Sequence, residues 1–166
     1  GANFRCIMSG TPISGDYIKS EGKSGRMGAR LMAIVTEGER RRVYLSPTEM
    51  MESIALKANP YWKPHTTLPD DPRNFWTLSY GLTKFGDLFT PRQLEILTIF
   101  SDLVLKIRDK VLADIKLSGI VDDGLALNSG GTGATAYADA ISIYSAFVVS
   151  RQANASSALV GWINKN

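Results

Sequence analysis

The stretch TPRQLEILTIFSDLVLKIRDKVLADIKL, residues 90–117, decides the fold of this 166-residue chain. Thr90 can cap a helix, Pro91 suits the first helical position, and Gln93 can complete a capping box. Behind this start, apolar residues recur every three or four positions, at Leu97, Phe100, Val104, Ile107 and Val111. Such spacing places them on one face of a helix. The stretch therefore predicts a long amphipathic helix that runs to about Lys116 and ends at Ser118-Gly119.

The residues before this helix predict a β-hairpin and then a shorter helix. Arg30–Val35 and Arg41–Leu45 are short runs enriched in Val, Ile and Tyr on either side of the polar turn Thr36–Glu39, which is typical of a hairpin. The next residues, Ser46-Pro47-Thr48-Glu49, predict a helix start, with Ser as the cap and Glu closing a capping box. That helix should run to about Lys57, because a residue before proline avoids the helical conformation.

The remaining segments predict loops, one short strand and a third main helix. Residues 1–29 predict a loop with a short helix, and residues 59–75, which hold four prolines, predict an extended loop. Its aromatic anchors are expected to be Trp62, Phe75 and Trp76. Ile120–Leu127 predicts one short strand. A Gly-rich segment from Asn128 to Gly133 leads into a helix over Thr135–Gln152, which is apolar around most of its circumference and is expected to be buried between layers.

These elements predict the α+β class, with a small β-hairpin or sheet and three main helices, because strands and helices do not alternate as in βαβ units. We expect one domain. In it, residues 1–46 form a basic glycine-rich arm plus the β-hairpin, and residues 47–166 form a helical portion with the proline-rich loop 59–75. The chain starts Gly1-Ala2-Asn3 without an initiator Met, and we interpret it as a segment excised from a larger enzyme.

Composition limits the functional classes. Apolar residues make up 44% of the chain and charged residues 21%, which allows one core and is unlike a disordered chain. No apolar run approaches the roughly 20 residues that cross a bilayer, and the N-terminus has no secretory pattern. We therefore expect no membrane partner and a cytoplasmic location. The net charge of +3 gives a mild preference for polyanions.

The positive charge is concentrated in the first quarter of the chain, between Lys19 and Arg42. Cations there are mixed with glycines, as in Gly22–Arg30, and a flexible glycine backbone suits close contact with phosphates. We therefore predict a DNA-binding surface of five residues: Lys23, Arg26, Arg30, Arg41 and Arg42. The alternative is that these cations form an ordinary solvated face.

The Gly-rich loop Ser129–Gly133 is the second candidate site. Glycine lets backbone amides approach a phosphate or carboxylate, and the start of the following helix favours an anion. The loop has neither the Lys-Ser/Thr of a P-loop nor a G-x-G-x-x-G pattern, so the cofactor-binding assignment is weak. The residues predicted to bind a cofactor are Gly130, Gly131 and Gly133. The alternative is a loop that Thr132 or Thr135 caps into the helix.

Other chemistry-bearing residues predict no catalytic or metal site. Nothing resembles a nucleophile with its base, and the only histidine, His65, has no second ligand nearby in sequence. The pairs Asp70-Asp71 and Asp122-Asp123 are interpreted as turn-forming carboxylates. The single cysteine, Cys6, excludes an internal disulfide and a cysteine-built zinc site within this chain. In Cys6-Ile7-Met8-Ser9-Gly10, serine occupies the second cysteine position of a zinc knuckle, so Cys6 is at most a remnant of a zinc ligand.

Several collinear segments resemble a family of large adenine-specific DNA methylases that carry a zinc ribbon. The most specific of them is Tyr80–Leu94, which contains GDLFTPRQL. The others are Cys6 with Ile18–Gly28 and Leu31–Val35, Tyr137–Ala140, and Arg151–Asn154 with Trp162.

The resemblance implies a position in the middle of a larger enzyme. In that family a glycine-containing loop for S-adenosylmethionine lies before this region, and an Asp-Pro-Pro-Tyr type catalytic motif lies after it. Neither is present here, so the chain would hold no cofactor and S-adenosylmethionine would bind the parent enzyme. The family's zinc ribbon would place its second cysteine pair at Cys6 and residue 9, and Ser9 departs from that pattern.

Three hypotheses follow from these observations. The leading one is a non-catalytic DNA-facing or scaffolding segment of an adenine-N6 DNA methyltransferase, which contacts DNA through the parent enzyme and packs against the remaining methyltransferase segments. The second is a protein-interaction module that docks without touching nucleic acid. The third is a contribution of the Gly-rich loop to the S-adenosylmethionine pocket.

Overall fold

A computed structural model describes residues 4–71, 73 and 76–160. Within these residues it has four helices and two small antiparallel two-stranded sheets, about half helix and a tenth strand, which confirms the α+β class. The chain divides into two compact units. Of the described residues, unit 1 comprises those up to Ala58 together with Lys63–Thr90, and unit 2 comprises Asn59–Trp62 together with residues 91–160. The arrangement as one domain with a division at residue 46 stays a prediction.

Unit 1 begins with a small hairpin and a short helix. Strand β1 (Phe4–Arg5) pairs antiparallel with β2 (Pro12–Ile13), and helix α1 (Gly15–Lys23) follows at once. The hydroxyl of Ser14 caps α1 by accepting a hydrogen bond from the backbone N–H of Tyr17 at 3.2 Å. The short helix predicted in residues 1–29 is therefore confirmed. The two strands were not predicted, because a strand of two residues is too short to show alternation of apolar and polar side chains.

The predicted β-hairpin is present, with its turn shifted along the chain. Strand β3 (Ile34–Gly38) pairs antiparallel with β4 (Arg41–Leu45), and Gly38 lies opposite Arg41. The turn is therefore Glu39-Arg40, where Arg40 has φ of 59°, and the proposed turn at Thr36–Glu39 is wrong. Gly38 is therefore a strand residue and not a turn residue. A side chain does not fit there, because a Cβ would lie 2.5 Å from the Val43 side chain.

Helix α2 (Glu49–Leu56) ends where the sequence predicts but begins at another cap. Its cap is Thr48, whose hydroxyl accepts a hydrogen bond from the backbone N–H of Met51 at 3.3 Å. The prediction that Ser46 caps this helix is wrong. Both residues are good caps, and the choice between them shifts the helix start by two positions.

Two glycines set how closely α1 approaches the 3₁₀ turn Thr77–Tyr80. A Cβ on Gly22 would lie 2.4 Å from the carbonyl oxygen of Tyr80, and a Cβ on Gly81 would lie 2.4 Å from the carbonyl oxygen of Gly22. Gly81 also has φ of 83° and ends the turn in the left-handed conformation. The backbones therefore touch directly, and neither position has room for a side chain.

Among the described residues of unit 1, Leu68 has the best-buried side chain, which is 2% exposed. Its backbone N–H donates to the Thr83 carbonyl at 2.8 Å, and the N–H of Phe85 donates to the Thr66 carbonyl at 3.0 Å. These bonds hold the proline-rich segment against the 3₁₀ turn Phe85–Leu88. Gly86 lies against that segment so closely that a Cβ would be 2.7 Å from the Pro64 carbonyl oxygen.

Unit 2 is built on two long helices that pack against each other, α3 (Pro91–Leu117) and α4 (Ala134–Ala155). They confirm the helix predicted to start at Thr90 and run to about Lys116 and the helix predicted over Thr135–Gln152. The expectation that α4 is buried on most of its circumference is wrong. Its buried residues are three alanines in its first two turns, Ala134, Ala136 and Ala138, whereas Ile143, Tyr144, Phe147 and Val148 are exposed.

The segment between α3 and α4 contains no strand, so the strand predicted over Ile120–Leu127 is wrong. The Asp122 carboxylate accepts from the N–H of Gly124 at 3.2 Å, and that of Asp123 accepts from the N–H of Leu125 at 3.0 Å. These local bonds use backbone groups that a strand ladder would need. Gly124 has φ of 71°, which breaks extended backbone at the same point.

Within unit 2, Tyr61 at the start of the proline-rich segment makes a contact that the sequence did not single out. The hydroxyl of Tyr61 donates a short hydrogen bond to the Asp102 carboxylate of α3. Trp62 and Trp76, which were expected to anchor this loop, are 57% and 74% exposed. Phe75, the third expected anchor, lies outside the described residues, as does Trp162.

Candidate functional site

Two of the five predicted DNA-binding residues are paired with carboxylates of unit 1. Arg26 donates two hydrogen bonds to Glu21, at 2.7 and 2.6 Å, and Arg30 donates two to Glu52, both at 3.0 Å. The hydrogen bonds from the guanidinium groups lower the pKa of both glutamates. A phosphate would have to compete with these carboxylates for either arginine.

The other three predicted residues lie on α1 and β4. Lys23 is in the last turn of α1, and Arg41 and Arg42 are adjacent on β4. Because successive strand residues face opposite sides of a sheet, Arg41 and Arg42 point in opposite directions. Arg42 also lies directly across the hairpin from Glu37. The hairpin therefore does not present Arg41 and Arg42 on one face.

In the Gly-rich loop of unit 2, the groups that would bind an anion are bonded to the chain's own carboxylates. Asp123 accepts from the N–H of Thr132 at 2.8 Å, and Asp122 accepts from the N–H and hydroxyl of Thr135 at 3.0 and 2.9 Å. Lys116, at the end of α3, forms a salt bridge with Asp122 at 3.2 Å. These bonds tie the loop and the start of α4 to residues 122 and 123. The interpretation of Asp122-Asp123 as turn-forming is confirmed.

The electrostatics of the loop agree with this geometry. Hydrogen bonds from Thr135, first its backbone N–H and then its hydroxyl, lower the pKa of Asp122 to about 2. The backbone N–H of Thr132 is the largest cause of the lowered pKa of Asp123. Both carboxylates are therefore ionised at neutral pH and supply the negative charge that a helix N-terminus favours.

The glycines of this loop are explained by backbone geometry. A Cβ on Gly131 would lie 2.1 Å from the Leu125 carbonyl oxygen, and one on Gly133 would lie 2.6 Å from the Asp123 nitrogen. Gly130 has open space around it but φ of 79°. The assignment of Gly130, Gly131 and Gly133 to cofactor binding stays a prediction, and each glycine has a structural reason without it.

Asp139 of α4 was missed by the sequence reasoning and links three elements of unit 2. It accepts from the guanidinium of Arg108 in α3 at 2.7 Å and from the backbone N–H of Leu127 at 3.0 Å. The Leu127 N–H and then Arg108 lower its pKa. The available signal was the single carboxylate of a mostly apolar helix, which needs a partner when it faces a neighbouring element.

Cys6 lies at the start of a tight turn. Its N–H donates to the Thr11 carbonyl at 2.9 Å, and its carbonyl accepts from the N–H of Gly10 at 2.8 Å. Hydrogen bonding with Ser9 lowers the pKa of the Cys6 thiol. Among residues 4–71, 73 and 76–160, no group of three or more His, Cys, Asp or Glu side chains is placed to hold a metal ion. His65 is exposed.

An apolar groove runs between α3 and α4 in unit 2. Its volume is about 490 Å³. The α3 wall is Phe100, Leu103, Val104 and Ile107, and the α4 wall is Ser145, Val148, Val149 and Gln152. Phe100, Leu103 and Ile107 are each about 40% exposed and Val148 is 68% exposed. Four large apolar side chains are thus left partly in water along one side of the helix pair.

Comparisons with known proteins give no relative: no family model, no curated protein and no solved structure matches this chain. Of the helices that the structure describes, none combines the length and the apolar character needed to cross a lipid bilayer.

Proposed function

We propose that the chain is a non-catalytic scaffolding segment of a larger adenine-N6 DNA methyltransferase, and that it docks onto the remaining segments of that enzyme through the α3–α4 helix pair. The observation that carries this proposal is the apolar groove between the two helices. Large exposed apolar surfaces on a folded domain mark interaction sites. The parent enzyme, not this chain, would bind S-adenosylmethionine, and its location would be cytoplasmic.

Further support comes from the pattern of exposed residues on α3. Ile96, Phe100, Leu103 and Ile107 follow one another at intervals of four, three and four, and all four are exposed. This is the a/d spacing of a helix that packs against another helix. α3 therefore carries an exposed apolar stripe in addition to its buried residues Leu94 and Thr98.

The parent assignment rests on the sequence resemblance to the methylase family. Its most specific segment, Tyr80–Leu94, has structural roles in this chain: the Asp87 carboxylate accepts from the N–H groups of Thr83 and Lys84 at 3.0 and 2.9 Å, and Gly86 allows the contact with Pro64. These roles fit a scaffolding segment, because none of them requires a substrate.

The docking proposal is tested by titrating this chain with the segments that precede and follow it in the parent protein, each expressed separately. Calorimetry at about 0.1 and about 0.5 M salt separates the two kinds of interface, because salt screens charge pairs and not apolar contacts. Docking predicts binding that survives the higher salt and shows a negative heat-capacity change. If neither segment binds at either salt concentration, the proposal fails.

DNA contact is the second candidate function, supported by the cations that the folded chain leaves accessible. Within the described residues, neither Lys23 nor Arg41 has a carboxylate at salt-bridge distance. Fluorescence anisotropy with a labelled duplex tests this. If Lys23 and Arg41 bind the DNA phosphates, the double variant Lys23→Ala/Arg41→Ala should weaken binding more than the double variant Arg26→Ala/Arg30→Ala. Binding should also weaken steeply as the salt concentration rises. Absence of binding at low salt would remove this candidate.

A cofactor role for the Gly-rich loop is the least supported candidate, because Asp122 and Asp123 already bond the N–H groups of Thr135 and Thr132. Calorimetric titration with S-adenosylmethionine at about 1 mM addresses it. Heat of binding that grows in Asp122→Asn, where the carboxylate no longer competes for the Thr135 N–H, would revive the idea, and no heat would leave the loop with its structural role alone.

A further inference from the structure

We infer that the chain restrains its own contact with DNA: Glu21 and Glu52 neutralise Arg26 and Arg30, and removing either negative charge increases the affinity of unit 1 for DNA. This inference rests on DNA contact, the second candidate function, and adds how that contact is regulated within the fold. The residues concerned lie in and beside the loop between α1 and β3, residues 24–33, which is called the α1–β3 loop below.

Both arginines belong to the α1–β3 loop, which forms neither helix nor strand from residue 26 to residue 33. Arg26 is bonded back to α1, because its backbone N–H donates to the Glu21 carbonyl at 3.0 Å and its guanidinium donates to the Glu21 carboxylate. Arg30 reaches Glu52, which is 22 positions later, in the first turn of α2. Each arginine is therefore held by a carboxylate that a helix positions.

In both pairs the arginine faces water and the glutamate is largely covered. The side chains of Arg26 and Arg30 are 58% and 82% exposed, whereas those of Glu21 and Glu52 are 21% and 20% exposed. A phosphate in solution can therefore approach either guanidinium. The carboxylate on the other side of that guanidinium stays in place and offsets its charge.

The pairing removes charge from the arginines without using up their hydrogen-bond donors. Each guanidinium donates to its carboxylate through Nε and one terminal nitrogen. A guanidinium has five N–H donors, so other donors remain for a phosphate oxygen. Affinity for the DNA backbone comes mainly from cationic charge that releases counterions. A neutralised arginine therefore adds little affinity, even though it is accessible.

This restraint operates at neutral pH and low salt. The hydrogen bonds from Arg26 and Arg30 are the largest causes of the lowered pKa of Glu21 and Glu52, respectively. Both carboxylates are therefore ionised at neutral pH. Because salt screens exposed charge pairs, the effect of the glutamates on DNA binding should be largest at low salt.

Glu52→Gln and Glu49→Gln form a matched pair of variants. Both glutamates lie in the first turn of α2, so the two substitutions change the net charge and the charge at the helix start equally. Among the described residues, Glu49 forms no salt bridge, whereas Glu52 is paired with Arg30. Glutamine keeps the size of glutamate and a side-chain acceptor oxygen.

The measurement is fluorescence anisotropy of a labelled duplex at about 0.05 M salt. Glu52→Gln should bind the duplex about three- to fivefold more tightly than the unsubstituted chain does. Glu49→Gln should change the affinity by less than about 1.5-fold, because its charge is not in contact with a cation.

A double variant separates a released arginine from a removed negative charge. In a chain that carries Arg30→Ala, Glu52→Gln should change the affinity no more than Glu49→Gln does, because no arginine is left to release. Glu21→Gln tests the second pair in the same way, with Arg26→Ala as its background. It serves alone if circular dichroism shows that Glu52→Gln lowers the helix content.

Equal gains from Glu52→Gln and Glu49→Gln would overturn the inference, because net charge alone would then explain them. A gain from Glu52→Gln that persists in the Arg30→Ala background would overturn it as well. In both cases DNA contact stands and its regulation by the glutamates does not. If neither the unsubstituted chain nor any glutamine variant binds DNA at low salt, the inference fails together with DNA contact, and the docking function is unaffected.

Discussion

Replacing Gly131 by alanine should destabilise unit 2 much more than the same change at Gly130, one residue earlier. The new Cβ at Gly131 would lie 2.1 Å from the Leu125 carbonyl oxygen, 2.7 Å from its carbon and 3.0 Å from the Ala126 carbonyl oxygen. All three are backbone atoms, so no side chain can rotate away. Overpacking of this kind costs about 3 kcal/mol when the surroundings are rigid. Residues 125–126 and residue 131 of the loop would have to move apart.

Gly130→Ala is the matched control, because it introduces backbone strain without a steric clash. Gly130 has φ of 79° and no atom within 4 Å of a built Cβ, and an L-residue in that conformation costs about 1 kcal/mol. Urea unfolding followed by helical circular dichroism measures both variants. With a slope of about 2 kcal/mol per molar urea, the Gly131 variant should lose about 1.5 M of its midpoint and the Gly130 variant about 0.5 M.

The result that would refute this reasoning is a Gly131→Ala midpoint no lower than that of Gly130→Ala. It would mean that the loop does not approach Leu125 as closely as described. The glycine would then need another explanation, and the weak cofactor prediction would gain support. A gain in stability at Gly131 would have the same meaning.

Three further predictions concern burial and ionisation. Leu68→Ala should lower the unfolding free energy by about 2–5 kcal/mol, and a loss below about 1 kcal/mol in urea unfolding would contradict the burial of this side chain. Because the folded pKa of Asp122 is lowered to about 2, its stabilising effect is complete above the ordinary carboxylate pKa and is lost as pH falls from about 4 towards 2. Asp122→Asn should therefore show a flatter acid transition by circular dichroism. The hydrogen bond to Asp102 raises the pKa of Tyr61, so ultraviolet titration should show a late-titrating tyrosine that Asp102→Asn removes, and an unchanged titration curve would argue against that bond.

The regular elements could be predicted because their signals are local. The start of α3 at Pro91 and its apolar spacing are visible within one window, and so are the two runs of the hairpin. The sequence offered two caps for α2, Ser46 and Thr48, and local rules did not choose between them. The burial of α4 was predicted wrongly, because the apolar character of a helix does not show which of its residues are packed against other parts of the same chain.

The candidate sites depended on contacts between residues that are distant in sequence. Arg30 is paired with Glu52, 22 residues later, so a cation in a basic run proved to be tied to α2. Asp123 bonds Thr132 across nine residues, which places a carboxylate where the sequence suggested an external anion. In both cases the residue type indicated a charged group that needs a partner. Which residue is that partner depends on the folded structure, and the local sequence pattern does not show it.

The contact between Gly22 and Gly81 has a consequence for how this sequence can vary. At both positions the obstacle to a side chain is a main-chain carbonyl, that of Tyr80 for one and that of Gly22 for the other. Shortening a neighbouring side chain cannot relieve such an obstacle, so no single compensating substitution elsewhere makes room. In a library of random variants selected for folding, both positions should return glycine alone. At Gly10 and Gly25, where φ is positive but the space is open, asparagine should be recovered as well.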